Sequence, residues 1–170
     1  MKLNRLIVHV VYMAALVAGC QSAATDGAWS RATEDMLVQR QLEKIFKSQC
    51  LSAKAPQVMS IGKIKNDTFL VGNDNIQFMR SQIASALADS GLVMISTAFG
   101  GDGKEVSLPQ DGKVIAPTLT LYGKLTQRDS REKDGKPLHE FILELSIVEI
   151  STSRRIWYGK SAVGFSGYGG

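Results

Sequence analysis

The sequence predicts an α/β fold of the α+β kind: a small mixed sheet packed by two or more helices and ending in an antiparallel meander. Three observations predict it. Two stretches, 31–50 and 74–89, place apolar side chains three and four apart, the period of an amphipathic helix. The second stretch lies between two short apolar runs, the strand–helix–strand order of a parallel crossover. Beyond residue 117 the chain changes character: three long runs rich in alternating apolar and polar residues are joined by short polar turns.

In the first helix, Met36, Val38, Leu42, Ile45 and Phe46 fall near one stripe, and Arg40, Glu43, Lys44 and Lys47 fall mostly elsewhere. Pro56 closes the loop that follows. Residues 58–64 read as a strand, with Val58, Ser60, Gly62 and Ile64 on one face and Met59, Ile61 and Lys63 on the other. Apolar groups on both faces suit a central strand. Residues 65–73 are a polar connection, in which Asn66, Asp67 and Thr68 suit a turn with Asx-type side-chain to backbone bonds. Asp74 is placed to cap the second helix, with Gln77 three residues on in the capping-box position. Ile76, Met79, Ile83 and Leu87 form its apolar stripe, and Ser90-Gly91 is its stop.

Residues 92–97 are the next strand, and if it pairs in parallel with the strand over 58–64 the crossover is right-handed. Gly100, Gly101, Gly103 and Gly112 make 99–116 an exposed loop. It lacks the strand-to-helix context and the Lys-Ser/Thr pair of a phosphate cradle. Residues 118–126 alternate strictly, with Leu119, Leu121, Gly123 and Leu125 on one face. A charged hairpin loop, 127–137, turns at Asp134-Gly135. Residues 141–150 return with Phe141, Leu143, Leu145 and Ile147 inward, residues 151–154 turn again, and residues 155–164 are the last strand.

The N-terminus carries a different signal. Lys2 and Arg5 precede the apolar run 6–18, which ends in small residues before Cys20. The run is too short for a comfortable membrane span, and the arrangement is that of a bacterial lipoprotein signal peptide. The expected organisation is a signal peptide over 1–19, lipidated Cys20 and a short tether over 20–30, one domain over 31–164 and a flexible tail over 165–170. Gln21 after the cysteine, instead of Asp, resembles an outer-membrane address. Ten extended tether residues reach only about 35 Å.

The formal charge is +4, of which the signal contributes Lys2 and Arg5. With no Lys/Arg run longer than two, the chain carries no nucleic-acid footprint. Once Cys20 is acylated, Cys50 is the one remaining thiol, read as a small core hydrophobe. His139 alone supplies no His-rich metal site. No nucleophile–base set or catalytic motif appears, so neither an enzyme nor a cofactor is expected. Glu149 has no carboxylate partner and reads as an ordinary strand residue. The interface candidates are basic and aromatic: Arg128, Arg131, Lys133 and Lys136 in one loop, Arg154 and Arg155 in the next turn, and Trp157 and Tyr158 on opposite faces of the last strand. A solvated charge run is the competing reading of the basic groups.

Several segments together resemble a known family. They are Gly62-x-Ile64-x-Asn66-x-Thr68, the helix end at Ser90-Gly91, Leu121-x-Gly123-x-Leu125, and Ile156-Trp157 in the terminal strand. Following a lipidated cysteine, this layout resembles the LpoB-like outer-membrane lipoprotein activators of class A penicillin-binding proteins, over about residues 30–163. The resemblance implies a fold like the N-terminal domain of TolB. It also implies a lipid-anchored protein on the periplasmic face of the outer membrane. Such a protein binds and stimulates a bifunctional peptidoglycan synthase, without catalytic residues of its own. Better-known members carry a long Pro-rich tether, whereas this one is short. That difference favours the alternative, a structural or adaptor lipoprotein of an outer-membrane secretion or export assembly.

Overall fold

The computed structural model describes residues 29–51, 57–96, 108–110 and 113–166. The expected signal peptide, Cys20, the expected tether up to Ala28, Pro56, the glycines at 100–103 and residues 167–170 lie outside them. Helix α1 (Arg31–Lys47) is followed by strand β1 (Gln57–Asp67), helix α2 (Asn73–Asp89) and strand β2 (Val93–Ser96). A short pair, β3 (Leu108–Gln110) and β4 (Lys113–Ile115), precedes the long strands β5 (Leu119–Arg131), β6 (Pro137–Glu149) and β7 (Arg154–Ser166). The main sheet has the order β2-β1-β5-β6-β7. β1 lies parallel to both β2 and β5, and β5-β6-β7 is an antiparallel meander. This is the mixed α+β sheet that the sequence predicts. The segment read as a plain loop over 99–116 differs in containing the β3–β4 pair.

Both helices pack on one face of the sheet. Leu37, Ile45, Met79, Ile83 and Leu87 from the helices meet Met59, Leu121, Leu125, Phe141, Leu143 and Ile147 from the strands, all fully buried. The buried stripe of α1 is Thr33, Glu34, Leu37, Val38, Gln41, Leu42 and Ile45. Met36 and Phe46, expected on that stripe, are exposed at its margins. The reason is that polar residues, Thr33, Glu34 and Gln41, hold three core positions, each with a specific partner. The Gln41 amide donates to the Leu143 carbonyl at 2.5 Å. The Glu34 carboxylate accepts from Arg31 at 3.2 Å and from Asn75 of α2 at 3.3 Å.

Two β-bulges correct the simple alternation. Between Ile61 and Ile64, β1 spends one residue more than β5 does between Leu121 and Gly123. Ile64 therefore joins Met59 and Ile61 on the helix side instead of standing opposite them. A second bulge faces Ile147 and Val148 of β6 with Trp157 and Arg155 of β7. The cap of α2 also differs from expectation. Gly72 is the N-cap, without a side-chain bond, and Asp74 lies in the first turn, where its charge suits the helix dipole. Phe165 and Ser166, assigned by sequence to the tail, are the last residues of β7, and Phe165 packs at 6.3 Å from Phe141.

Candidate functional site: the open face of the sheet

Because both helices lie on one side, the other face of β5, β6 and β7 carries the alternate residues of those strands. Thr120, Tyr122, Lys124 and Arg128 come from β5, Ile142, Glu144, Ser146 and Val148 from β6, and Arg155, Tyr158 and Lys160 from β7. Tyr122, Ser146 and Tyr158 lie in one cross-strand row. Strand spacing puts the backbones of the two tyrosines about 10 Å apart, with the small serine between them. Tyr122 and Tyr158 are 49% and 47% exposed, far more than aromatics of a packed face.

Each ring is held by its neighbours. A side chain at Gly62 would meet Cδ1 of Tyr122 at 2.9 Å, so the Tyr122 ring lies over the bare glycine of β1. Tyr158 is set by the second bulge. In a regular strand positions 155 and 158 point to opposite faces. The extra residue, Ile156, puts both on the open face, where the Arg155 guanidinium lies 5.0 Å from the Tyr158 ring centroid. Partial burial and the adjacent Glu144 carboxylate push the Tyr158 phenol above its usual range. It therefore remains protonated, and a donor, at neutral pH.

Charges alternate across the rest of the face. Lys160 pairs with Glu144 at 3.8 Å, Arg128 with Glu140 at 3.8 Å, and Lys124 with Asp67 at 3.1 Å. Lys65, then Lys124, holds the Asp67 carboxyl below its ordinary value. These solvated pairs contribute little to stability and much to pattern.

The structure distributes the candidate residues over the strands and turns of the meander. Arg128 and Arg131 are in β5, and Lys133 and Lys136 follow in the hairpin. Arg154 is at the opposite end of the sheet, as the meander requires. Tyr158 and Arg128 share the open face, whereas Trp157 turns to the helix side and packs against the core. Sequence reasoning named Arg155 but missed Tyr122 and Glu144. Tyr122 was legible as a polar-face residue of β5, but a bulge was needed to bring Arg155 to Tyr158. Cys50 is half-buried against the core, its Sγ 2.9 Å from Ser48 Oγ. Glu149 accepts from Thr152 at 2.5 Å. The Asx turn forms around Asn66, whose Oδ1 accepts from the Thr68 amide at 3.2 Å, while Asp67 is drawn to the lysines. Among the described residues, no three His, Cys, Asp or Glu side chains are placed to hold a metal ion. Nor is any helix among them long and apolar enough to cross a membrane.

The domain superposes on the C-terminal domain of LpoB from Escherichia coli with a TM-score of 0.50 and 18% identity, covering 76% of this chain and 97% of that one. The Salmonella enterica LpoB C-terminal domain gives 0.48 and 16%, covering 76% and 97%. Lipoprotein GNA1162 from Neisseria meningitidis gives 0.43 and 14%, covering 65% and 84%. No protein-family model and no curated protein sequence matches the chain. The fold is thus related to that of the LpoB C-terminal domain, at low sequence identity.

Proposed function

We propose that this chain is a periplasmic adaptor, held at the outer membrane by acyl chains on Cys20, that binds a class A penicillin-binding protein and stimulates it. The observation that carries the reading is the open face with its Tyr122–Ser146–Tyr158 row, in a domain of LpoB C-terminal fold. The family that the sequence resembles acts on such synthases by contact, and this face has the composition of a contact surface: exposed tyrosines, arginine and alternating charge. An activator works by binding the active state of its target more tightly than the inactive one. It needs no reacting groups, only a rigid surface of defined pattern.

The short tether favours a second reading, an adaptor within an outer-membrane secretion or export assembly. One experiment separates the two. Lipidated protein is retrieved from detergent-solubilised envelopes and its companions are identified. A bifunctional synthase supports the first reading, and its absence alongside channel or secretion subunits replaces it with the second.

A further inference from the structure

The loop between β1 and α2 presents Phe69 with 95% of its surface exposed and Leu70 with 48%. An exposed phenylalanine on a floppy loop would mean little, but this loop is braced. Asn66 Oδ1 accepts from the Thr68 hydroxyl at 2.8 Å, and Asn66 Nδ2 donates to the Val71 carbonyl at 2.7 Å. The Val71 amide donates to Thr68 Oγ1 at 3.2 Å, and Val71 itself is buried. The Asn66–Thr68 pair of the Gly62–Thr68 motif thus closes a small arch with Phe69 and Leu70 at its crown.

The arch stands at the end of the domain where the chain enters it. Trp29, the first described residue, packs 4.9 Å from Phe141, and Phe141 pairs with Gln127. Asp67, at the foot of the arch, pairs with Thr126, one residue away. The bond from Asn75 to Glu34 sets the N-termini of α2 and α1 side by side at this same end. Nine residue steps separate Cys20 from Trp29, an extended reach of about 30 Å.

We propose that Phe69 and Leu70 are a wedge that enters the lipid interface beside the acylated Cys20, fixing how the domain stands on the membrane. The inference rests on the acyl anchor of the proposed function. The length of the tether and the place where it meets the domain single out the lipid surface as occupant. An apolar pair at that end is held within reach of the headgroups at high local concentration. Lys65 and Lys124, beside the foot of the arch, are placed to reach headgroup phosphates while the crown contacts acyl chains.

The test uses lipidated full-length protein in phosphatidylethanolamine–phosphatidylglycerol vesicles, in a Cys50→Ser background. An environment-sensitive dye is placed at Leu70→Cys or, as the far-end control, at Leu92→Cys, and quenched by nitroxide-bearing lipid. Leu92 follows α2, whose 17 residues separate it from the arch by about 25 Å. Quenching several-fold stronger at position 70 than at 92, and lost on Phe69→Ser, is the expected result. Equal quenching at both positions, or quenching indifferent to Phe69→Ser, overturns the wedge. So does quenching at position 70 that appears only on adding envelope proteins, which assigns the arch to a protein partner. Flotation is scored on the same samples. Protein that fails to float overturns the anchor and this inference with it, whereas protein that floats with an unquenched arch overturns the wedge alone.

Discussion

Gly159 shows how much a single position decides. A methyl group there would stand 2.5 Å from Gln41 Oε1 and would overlap the Trp157 ring. Gln41 is fully buried and donates to Leu143, so it cannot swing into water without breaking that bond. Gly159→Ala is therefore expected to cost about 1–3 kcal/mol, the usual penalty of overpacking. Urea denaturation measures it, and a loss below about 0.5 kcal/mol would contradict this packing. Glu34 makes a second residue-scale prediction. Burial raises its carboxyl pKa above the ordinary 4.5, while Asn75 and Arg31 pull it the other way. Between the unfolded and folded pKa values the native state holds more protons, so this group's contribution falls as pH rises above 4.5. Glu34→Gln removes that slope. Relative to the parent, the variant becomes more stable between about pH 4 and pH 7. Denaturation midpoints at the two pH values check this, and parallel profiles for the two proteins would contradict it.

At the scale of elements, the last strand is one edge of the sheet, 13 residues long. A free edge invites pairing with another chain. Helix α1 blunts it: Arg40 donates to the Ala162 carbonyl at 2.6 Å and Lys44 to the Lys160 carbonyl. Replacing both cations by alanine is expected to lower stability by about 1 kcal/mol and to produce concentration-dependent association, read by sedimentation velocity. A variant that stays monomeric at all concentrations would show that the caps do not guard the edge. The elements themselves were largely legible in the sequence, because Leu119, Leu121 and Leu125, or Phe141, Leu143 and Leu145, repeat with the period of their strands. What was not legible follows from interactions between distant segments. A bulge adds one residue without altering local composition, so Ile64 was read on the wrong face. Glu34 and Gln41 hold core positions through partners on α2 and β6, so the apolar stripe of α1 seemed to run through Met36 and Phe46. Gly72 displaced Asp74 as the cap of α2, where Asn66 and Thr68 already shape the preceding arch.

For the whole molecule, the arrangement separates two surfaces. Both helices cover one side of the sheet, and the other side carries Tyr122, Tyr158, Arg155 and the paired charges. Of this face the sequence revealed Tyr158, Arg155 and Arg128, but it could not show that Tyr122 shares a row with Tyr158 across β6. That relation exists only once the register of β5 and β7 on β6 is set. In the proposed function this face is the working part, since a protein that acts by contact depends on pattern and rigidity instead of reacting groups.

The most direct measurement is the rate of glycan-chain polymerisation by a purified class A penicillin-binding protein, with and without the lipidated protein. The parent is expected to accelerate the reaction. The Tyr122→Ser/Tyr158→Ser variant, with an unchanged circular-dichroism spectrum and melting behaviour close to the parent's, is expected to leave the rate near that of the synthase alone. A parent without effect, or a double variant that stimulates as well as the parent, would contradict the account.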